Sequence, residues 1–157
     1  MGKEIERKFL VINDNWRGQS AAVNYRQGYL SLDMDRVVRV RVNGQRGYLT
    51  IKGKFKGYSR PEFEYEIPHD DALELLSTLC IQPIMEKKRY IVEHRGVRWE
   101  IDEFLGENSG LVIAEVELQE EDQCIDLPDW VGREVSHDPR YFNSNLILKP
   151  FKHWKTA

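Results

Sequence analysis

Val37-Val38-Arg39-Val40-Arg41-Val42, followed at once by Asn43-Gly44, is the stretch from which the rest of the chain can be read. From Val38 onward valine and arginine alternate with a period of two, so an extended strand sends the valines to one face and the arginines to the other. Asn-Gly is the dipeptide best suited to a two-residue hairpin. The returning strand is present as Tyr48-Leu49-Thr50-Ile51-Lys52. Working outward, the same alternation runs through Glu4 to Val11, Tyr25 to Leu32, Glu62 to Ile67, Lys87 to Val92, Val97 to Asp102 and Leu111 to Leu118, with Arg95-Gly96 turning between two of them. Eight short strands at this spacing predict a closed or nearly closed antiparallel barrel.

Helices are expected to be few. His69 to Leu79 follows Pro68 and carries Asp70 and Asp71 in its first turn, where the helix dipole favours negative charge. Leu73, Leu76 and Leu79 mark its apolar side. Glu120 to Ile125 reads as a short helix before Leu127-Pro128. A last one is expected to be capped by Ser136, with Asp138 and Pro139 in its first turn and Leu146 and Leu148 packed inward. The fold class is therefore α+β: one domain over residues 1–157, an eight-stranded antiparallel β-barrel with helices packed outside.

Composition narrows the function classes. Against 23 Lys and Arg stand 26 Asp and Glu, a net charge of −3 on 157 residues, which disfavours general adhesion to nucleic acid or an anionic membrane. Nucleic acid would also want aromatics among the basic residues, whereas Tyr90 and Trp99 alternate onto the apolar face. No apolar run approaches the roughly 18 residues of a membrane helix. The opening MGKEIERKFLV has charges where a signal peptide would be apolar, and Glu6 stands where a myristoylation motif expects Ser or Thr. Cys80 and Cys124 have no metal-site spacing and read as reduced thiols. A cytoplasmic protein is expected.

Alternation puts the charges on one face: Glu4, Glu6, Lys8, Tyr29, Arg39, Arg41, Lys52, Arg60, Glu62, Glu64, Lys87, Arg89, Asp102, Glu115 and Glu117, with Lys54, Arg98 and Glu100 as further lining. A polar sheet face in water is the ordinary reading. Here, however, the face is almost entirely ionisable, and like signs sit together: Arg39 with Arg41, Glu4 with Glu6, Glu115 with Glu117. Like charges this close repel unless opposite charge lies between them. A barrel that turns the face inward would make a charged lumen whose carboxylates suit Mg²⁺ or Mn²⁺ and whose Arg and Lys rows suit phosphate oxygens. That chemistry describes a metal-dependent site for a compact, multiply phosphorylated substrate.

These residues resemble the CYTH superfamily, the triphosphate tunnel metalloenzymes. Glu4-Ile5-Glu6-Arg7-Lys8 is similar to the family's ExExK strand. The likeness continues in order through Arg26-Gln27-Gly28-Tyr29-Leu30, Val38 to Arg41, Leu49 to Lys52, Ser59-Arg60 with Glu62 and Glu64, Glu86 to Tyr90, Asp102, Glu115-Val116-Glu117, and Asp138 to Tyr141 with Asn143. The resemblance implies an eight-stranded tunnel with the charges inside and hydrolysis of a triphosphate, most simply inorganic tripolyphosphate to pyrophosphate and phosphate. It implies Glu4, Glu6 and Glu117 as metal carboxylates, with Glu115 and Asp102 as further metal or supporting acids. Lys8, Arg39, Arg41, Lys52, Arg60, Lys87 and Arg89 become phosphate ligands, and Glu62 and Glu64 acids that hold the basic groups in place. Tyr29 beside Lys52 resembles a catalytic Tyr–Lys pair, in which crowding by Arg39, Arg41 and Lys87 would depress a lysine acting as base.

Two other classes share these features. A class IV-type adenylate cyclase shares the ExExK strand but needs an adenine pocket, and no purine-reading cluster stands out. A non-catalytic polyphosphate or nucleotide sensor would have no use for Glu4, Glu6 and Glu117 together. Thiamine triphosphate and nucleoside triphosphates are the other candidate substrates, and a homodimer is compatible with the chain. His69, His94, His137 and His153 lack ligand spacing, and Trp16, Trp130 and Trp154 read as packing anchors. Tyr141 and Phe142 read as core, and Lys149, Lys152 and Lys155 as a solvated tail or the closure of one tunnel mouth.

Overall fold

The computed structural model describes residues 2–154, so Lys155 lies outside the described residues. Its strands are β1 (Lys3–Val11), β2 (Val23–Ser31), β3 (Val37–Asn43), β4 (Arg46–Lys52), β5 (Ser59–Ile67), β6 (Met85–His94), β7 (Val97–Phe104), β8 (Val112–Glu117) and β9 (Val131–Glu134). The helices are α1 (His69–Thr78) and α2 (Asn143–Leu148), with 3₁₀ turns at Gly106–Asn108, Pro139–Tyr141 and Phe151–His153. No helix among the described residues is long and apolar enough to cross a membrane.

Eight strands close into the antiparallel barrel. Neighbours run β5-β4-β3-β2-β6-β7-β8-β1, and β1 returns to β5 through Lys3↔Pro61, Glu4↔Arg60 and Ile5↔Ser59. Closure removes the unpaired edge that would otherwise invite association. In the hairpin after β3, Asn43 still pairs with Arg46, so the two loop residues are Gly44 and Gln45, with Gly44 at φ +61°. The turn after β6 puts both Arg95 (φ 49°) and Gly96 (φ 78°) in the left-handed region, as a type I′ hairpin requires.

The ninth strand was not expected. β9 pairs beside Phe9 and Val11, along the stretch of β1 that β5 has left, and Val135 N donates to Lys8 O just beyond it. The helix expected at Glu120–Ile125 is a turn. Its Glu121 carboxylate accepts from Tyr58 N at 3.0 Å and from Ser59 Oγ, and Gln119 N is capped by Gln123 Oε1 at 2.7 Å. So short a segment gains too few helical bonds to outweigh those contacts. Ser136 caps no helix, since its hydroxyl accepts from Lys8 N at 2.9 Å and donates to Glu134. Asp138 instead caps the 3₁₀ turn through Arg140 N, and Leu148 ends up exposed.

Cover for the outer face comes only partly from helices. α1 buries Ala72 and Leu76 against Val40 and Val42, while Leu79 stays exposed. Over Phe9, Trp99 and Val116 the cover is loop-borne Trp16 and Trp130. Ile51, Phe63 and Tyr65, on the outer side of β4 and β5, remain exposed. A third cluster lies inside the barrel's upper end. Val37, Phe104 and Ile113 share strand parity with Arg39, Asp102 and Glu115, and they pack with Tyr29 and Met85 against Val135, Tyr141, Leu146 and Ile147. The segment from Val135 to Ile147 is thus an apolar plug over one end of the charged lumen.

Candidate active site

Below that plug a cavity is lined by Glu6, Lys8, Tyr29, Arg39, Lys52, Arg60, Lys87, Arg89 and Glu115. These are nine of the sequence-predicted site residues. Glu4 and Asp102 are buried behind this wall, and Arg41, Glu62 and Glu64 sit farther along the same strands. Glu117 pairs with Glu6 across β1 and β8 but is exposed at the rim. Lys54 and Arg98 point to solvent, and Glu100 is half-buried.

Acids hold the basic side chains in fixed positions. Asp102, 1% exposed, accepts from Lys87 Nζ at 2.8 Å and from Arg89 Nε and Nη2 at 2.7 and 2.9 Å, so both of its oxygens are engaged by cations. Burial alone would raise its carboxyl, but Arg89 and Lys87 outweigh that and hold it well below the ordinary range. Asp102 thus anchors two cations at once. Glu4 Oε1 accepts from Lys52 Nζ at 2.9 Å and Arg60 Nε at 3.0 Å, and Lys52 also meets Glu62 at 3.1 Å. Against its burial, Lys52 and Arg60 keep Glu4 far below the usual carboxylate range. Arg41 Nη2 donates to Glu64 at 2.8 Å, Arg39 Nη2 to Thr50 at 3.2 Å, and Lys8 lies 3.5 Å from Glu115.

What these pairs leave unmatched is segregated. On the β3 wall the Nε–H groups of Arg39 and Arg41 are buried with no acceptor among the described residues. Burial and the neighbouring Arg39 lower the Arg41 guanidinium to about 10. On the β1 wall Glu6 has no ion-pair partner among the described residues. Burial, then Glu115 and Glu4, push its carboxyl well above the ordinary range. Orphaned donors call for an anion, and an uncompensated carboxylate calls for a cation.

The expected Tyr–Lys pair takes a different form. Tyr29 and Lys52 face the same cavity, but Lys52 is bonded to Glu4 and Glu62, while the Tyr29 hydroxyl accepts from Gln27 Nε2 at 3.0 Å. The depressed lysine is Lys87, which burial lowers to about 8 despite Asp102, with Arg89 adding to the shift. Burial raises the Tyr29 phenol above its ordinary value.

Sequence reasoning assigned no role to Asn143, whose Oδ1 accepts from Lys87 at 2.8 Å and Gln27 at 3.1 Å. Nor did it foresee Phe55 and Phe142 in the cavity wall, their tilted rings 5.4 Å apart and Arg60 4.3 Å above Phe55. Alternation places Gln27 inside, but no local signal joins it to a residue 116 positions away.

A closed antiparallel barrel lined by anchored cations, with a separate acidic wall, defines a class of tunnel proteins suited to a compact polyanion and a divalent cation. The chain belongs to the CYTH family, whose domain matches residues 2–147. It is 55% identical over 155 residues, 99% of both chains, to an inorganic triphosphatase of Acetivibrio thermocellus. An inorganic triphosphatase of Nitrosomonas europaea is 39% identical, over 92% of this chain and 97% of its own. Among solved structures, that of an inorganic triphosphatase superposes with a TM-score of 0.67 at 36% identity, covering 92% of this chain and 97% of the other. A Hippeastrum protein, a proposed adenylyl cyclase described as having a dominant triphosphatase activity, shares the fold, at TM-score 0.56 and 14% identity, over 74% of this chain and 80% of its own.

Proposed function

We propose that the chain is a divalent-metal-dependent triphosphatase that hydrolyses inorganic tripolyphosphate to pyrophosphate and phosphate, working as one domain over residues 1–157. The observation that carries this reading is a cavity lined both by Arg39, whose buried Nε–H has no acceptor among the described residues, and by the uncompensated Glu6, with the acceptorless Nε–H of Arg41 farther along β3. A polyphosphate supplies acceptors for the first, and its accompanying cation supplies charge for the second. The names of the two curated relatives point the same way.

In this reading Lys8, Arg39, Arg41, Lys52, Arg60, Lys87 and Arg89 bind phosphoryl oxygens, with Glu62 and Glu64 holding Lys52 and Arg41 in place. Among the described residues no three carboxylates, histidines or cysteines gather into a ready-made metal site. That suits Mg²⁺ or Mn²⁺, which bind through one or two carboxylates together with substrate phosphates. Glu6 and Glu115 are the donors best placed, with Glu4 beside them and Glu117 at the rim. When bound, the ion neutralises phosphoryl oxygens and polarises the bond to be broken. Water adds its oxygen to a terminal phosphorus, the bridging bond breaks, pyrophosphate leaves with the bridging oxygen, and the protons of the water pass to the phosphate products and solvent. The basic rows stabilise the charge that spreads onto the leaving group. Tyr29 and Lys52 face the reacting phosphoryl group, and the plug keeps bulk water from that end. A cytoplasmic location accords with the two unpaired cysteines.

The test is phosphate release from tripolyphosphate with Mg²⁺ or Mn²⁺, measured beside phosphate and cyclic AMP formation from ATP. Metal-dependent release from tripolyphosphate in excess of both ATP activities is expected. Cyclic AMP as the main product, or tight binding without turnover, would overturn the proposal.

A further inference from the structure

Lys87, Asn143, Gln27 and Tyr29 form a hydrogen-bonded row whose direction can be worked out from one end. An ammonium can only donate. Lys87 Nζ donates to Asp102 at 2.8 Å and to Asn143 at 2.8 Å, so the atom of Asn143 facing it must be the amide oxygen. That oxygen also meets Gln27 at 3.1 Å, so Gln27 must present its NH₂ group there. The same NH₂ lies 3.0 Å from the Tyr29 hydroxyl. One of its hydrogens goes to Asn143 and the other to Tyr29, whose oxygen is therefore the acceptor.

Amide orientation is ordinarily a matter of assignment, but here a charge dictates it. Turning Asn143 over would set its NH₂ against the ammonium, and turning Gln27 over would set oxygen against oxygen. The row keeps this direction even though it leaves Gln27 Oε1 buried without a partner among the described residues. Two hydrogens remain without an acceptor among the described residues: the third on Lys87 and the phenolic one on Tyr29. Both side chains line the cavity.

We infer that Asn143 and Gln27 are positioning residues that fix the Tyr29 hydroxyl as a hydrogen-bond donor to a phosphoryl oxygen in the lumen, and so exclude it as an acceptor of the water proton. Gln27 is fully buried and Asn143 comes from the far end of the chain, at the start of α2. Through Asn143 the C-terminal segment sets the orientation of a group on β2. The inference rests on the triphosphatase reading for its substrate, but the direction of the row does not depend on it.

The test is a double-mutant cycle between Gln27→Glu and Tyr29→Phe, with kcat and KM for tripolyphosphate measured at saturating Mg²⁺. A carboxylate at 27 can only accept, so it turns the phenolic hydrogen away from the lumen. Each single variant is expected to lose about a hundredfold in kcat, the usual cost of one transition-state donor, with KM changed far less. The double variant should fall no more than about threefold below either single one, because both remove the same hydrogen bond. Multiplying losses, or a Gln27→Glu variant within about threefold of wild type, would overturn the inference.

If Gln27→Glu does not fold, Asn143→Leu and Asn143→Asp answer the same question. Leucine removes the acceptor and should lower kcat, and aspartate restores it and should recover most of the loss; equal losses overturn the inference. Wild-type protein without turnover would refute the proposed activity instead. The direction of the row would then be read from tripolyphosphate binding by calorimetry, where Gln27→Glu and Tyr29→Phe should weaken affinity to a similar extent and not additively. Additive weakening would overturn it.

Discussion

Replacing Asp102 with asparagine removes one charge and leaves two cations buried beside each other. Asp102 is 1% exposed, Lys87 2% and Arg89 8%, and three hydrogen bonds of 2.7 to 2.9 Å join them. Breaking a buried pair by removing one partner costs about 3–5 kcal/mol, because the other charge stays desolvated. For a domain of this size each kcal/mol moves the melting temperature by about 2–4 °C, so Asp102→Asn should melt roughly 6–20 °C below wild type. Glu100→Gln serves as the control. Glu100 meets Arg89 at 3.2 Å but is about a third exposed, so water makes up most of the loss and the change should be within about 1 kcal/mol.

The anchor reading adds a second expectation. Tripolyphosphate without metal supplies the missing counter-charge to Lys87 and Arg89, so it should raise the melting temperature of Asp102→Asn by more than it raises that of wild type. Ligand at a hundredfold excess over Kd contributes about 2.7 kcal/mol. Differential scanning fluorimetry with and without tripolyphosphate measures both effects. A variant that melts within about 2 °C of wild type would refute the reasoning, and so would tripolyphosphate that stabilises both proteins equally.

Arg39→Lys keeps the charge but loses the orphaned Nε–H, a charge-assisted bond worth about 1.5–3 kcal/mol, so kcat/KM for tripolyphosphate should fall about ten- to a hundredfold; an unchanged value would remove Arg39 from the substrate contacts. Glu6→Gln should abolish the response of turnover to Mg²⁺, and a wild-type rate at saturating Mg²⁺ would count against Glu6 as a metal ligand. Lys87, lowered to about 8 by burial, loses its charge as pH rises through about 8, so tripolyphosphate affinity measured by calorimetry should fall between pH 7 and 9, and less so in Lys87→Met. Over that range the unfolded chain, with lysines near about 10.4, binds more protons than the folded one, so the Lys87 contribution to stability rises with pH. A wild-type advantage in urea that declines from pH 7 to 9, relative to Lys87→Met, would contradict this. Leu146→Ala, at a fully buried plug position, should cost about 2–5 kcal/mol by chemical denaturation; a smaller loss would mean that the plug is loosely packed.

Alternation around Val38–Val42 was enough to find the barrel strands, because each carries enough β-branched and charged residues to show its period. It missed β9, since Val131-Gly132-Arg133-Glu134 has no apolar alternation and owes its strand form to the free edge of β1 beside Phe9 and Val11. The plug was hidden for a related reason. Val37, Phe104 and Ile113 fall at strand ends on the charged face, where they look like exceptions to the pattern until Leu146 and Ile147 are packed on them. The charges of the site were legible one strand at a time, but their pairing was not. Asp102 meets Lys87 because β6 and β7 are neighbours, whereas Glu4 meets Lys52 only because β1 closes on β5. Three residue pairs make that closure, and they turn a sheet with a charged face into a vessel. Like charges along Arg39 and Arg41 would otherwise be relieved by water. Enclosure denies them that relief and leaves their Nε–H groups to whatever anion enters.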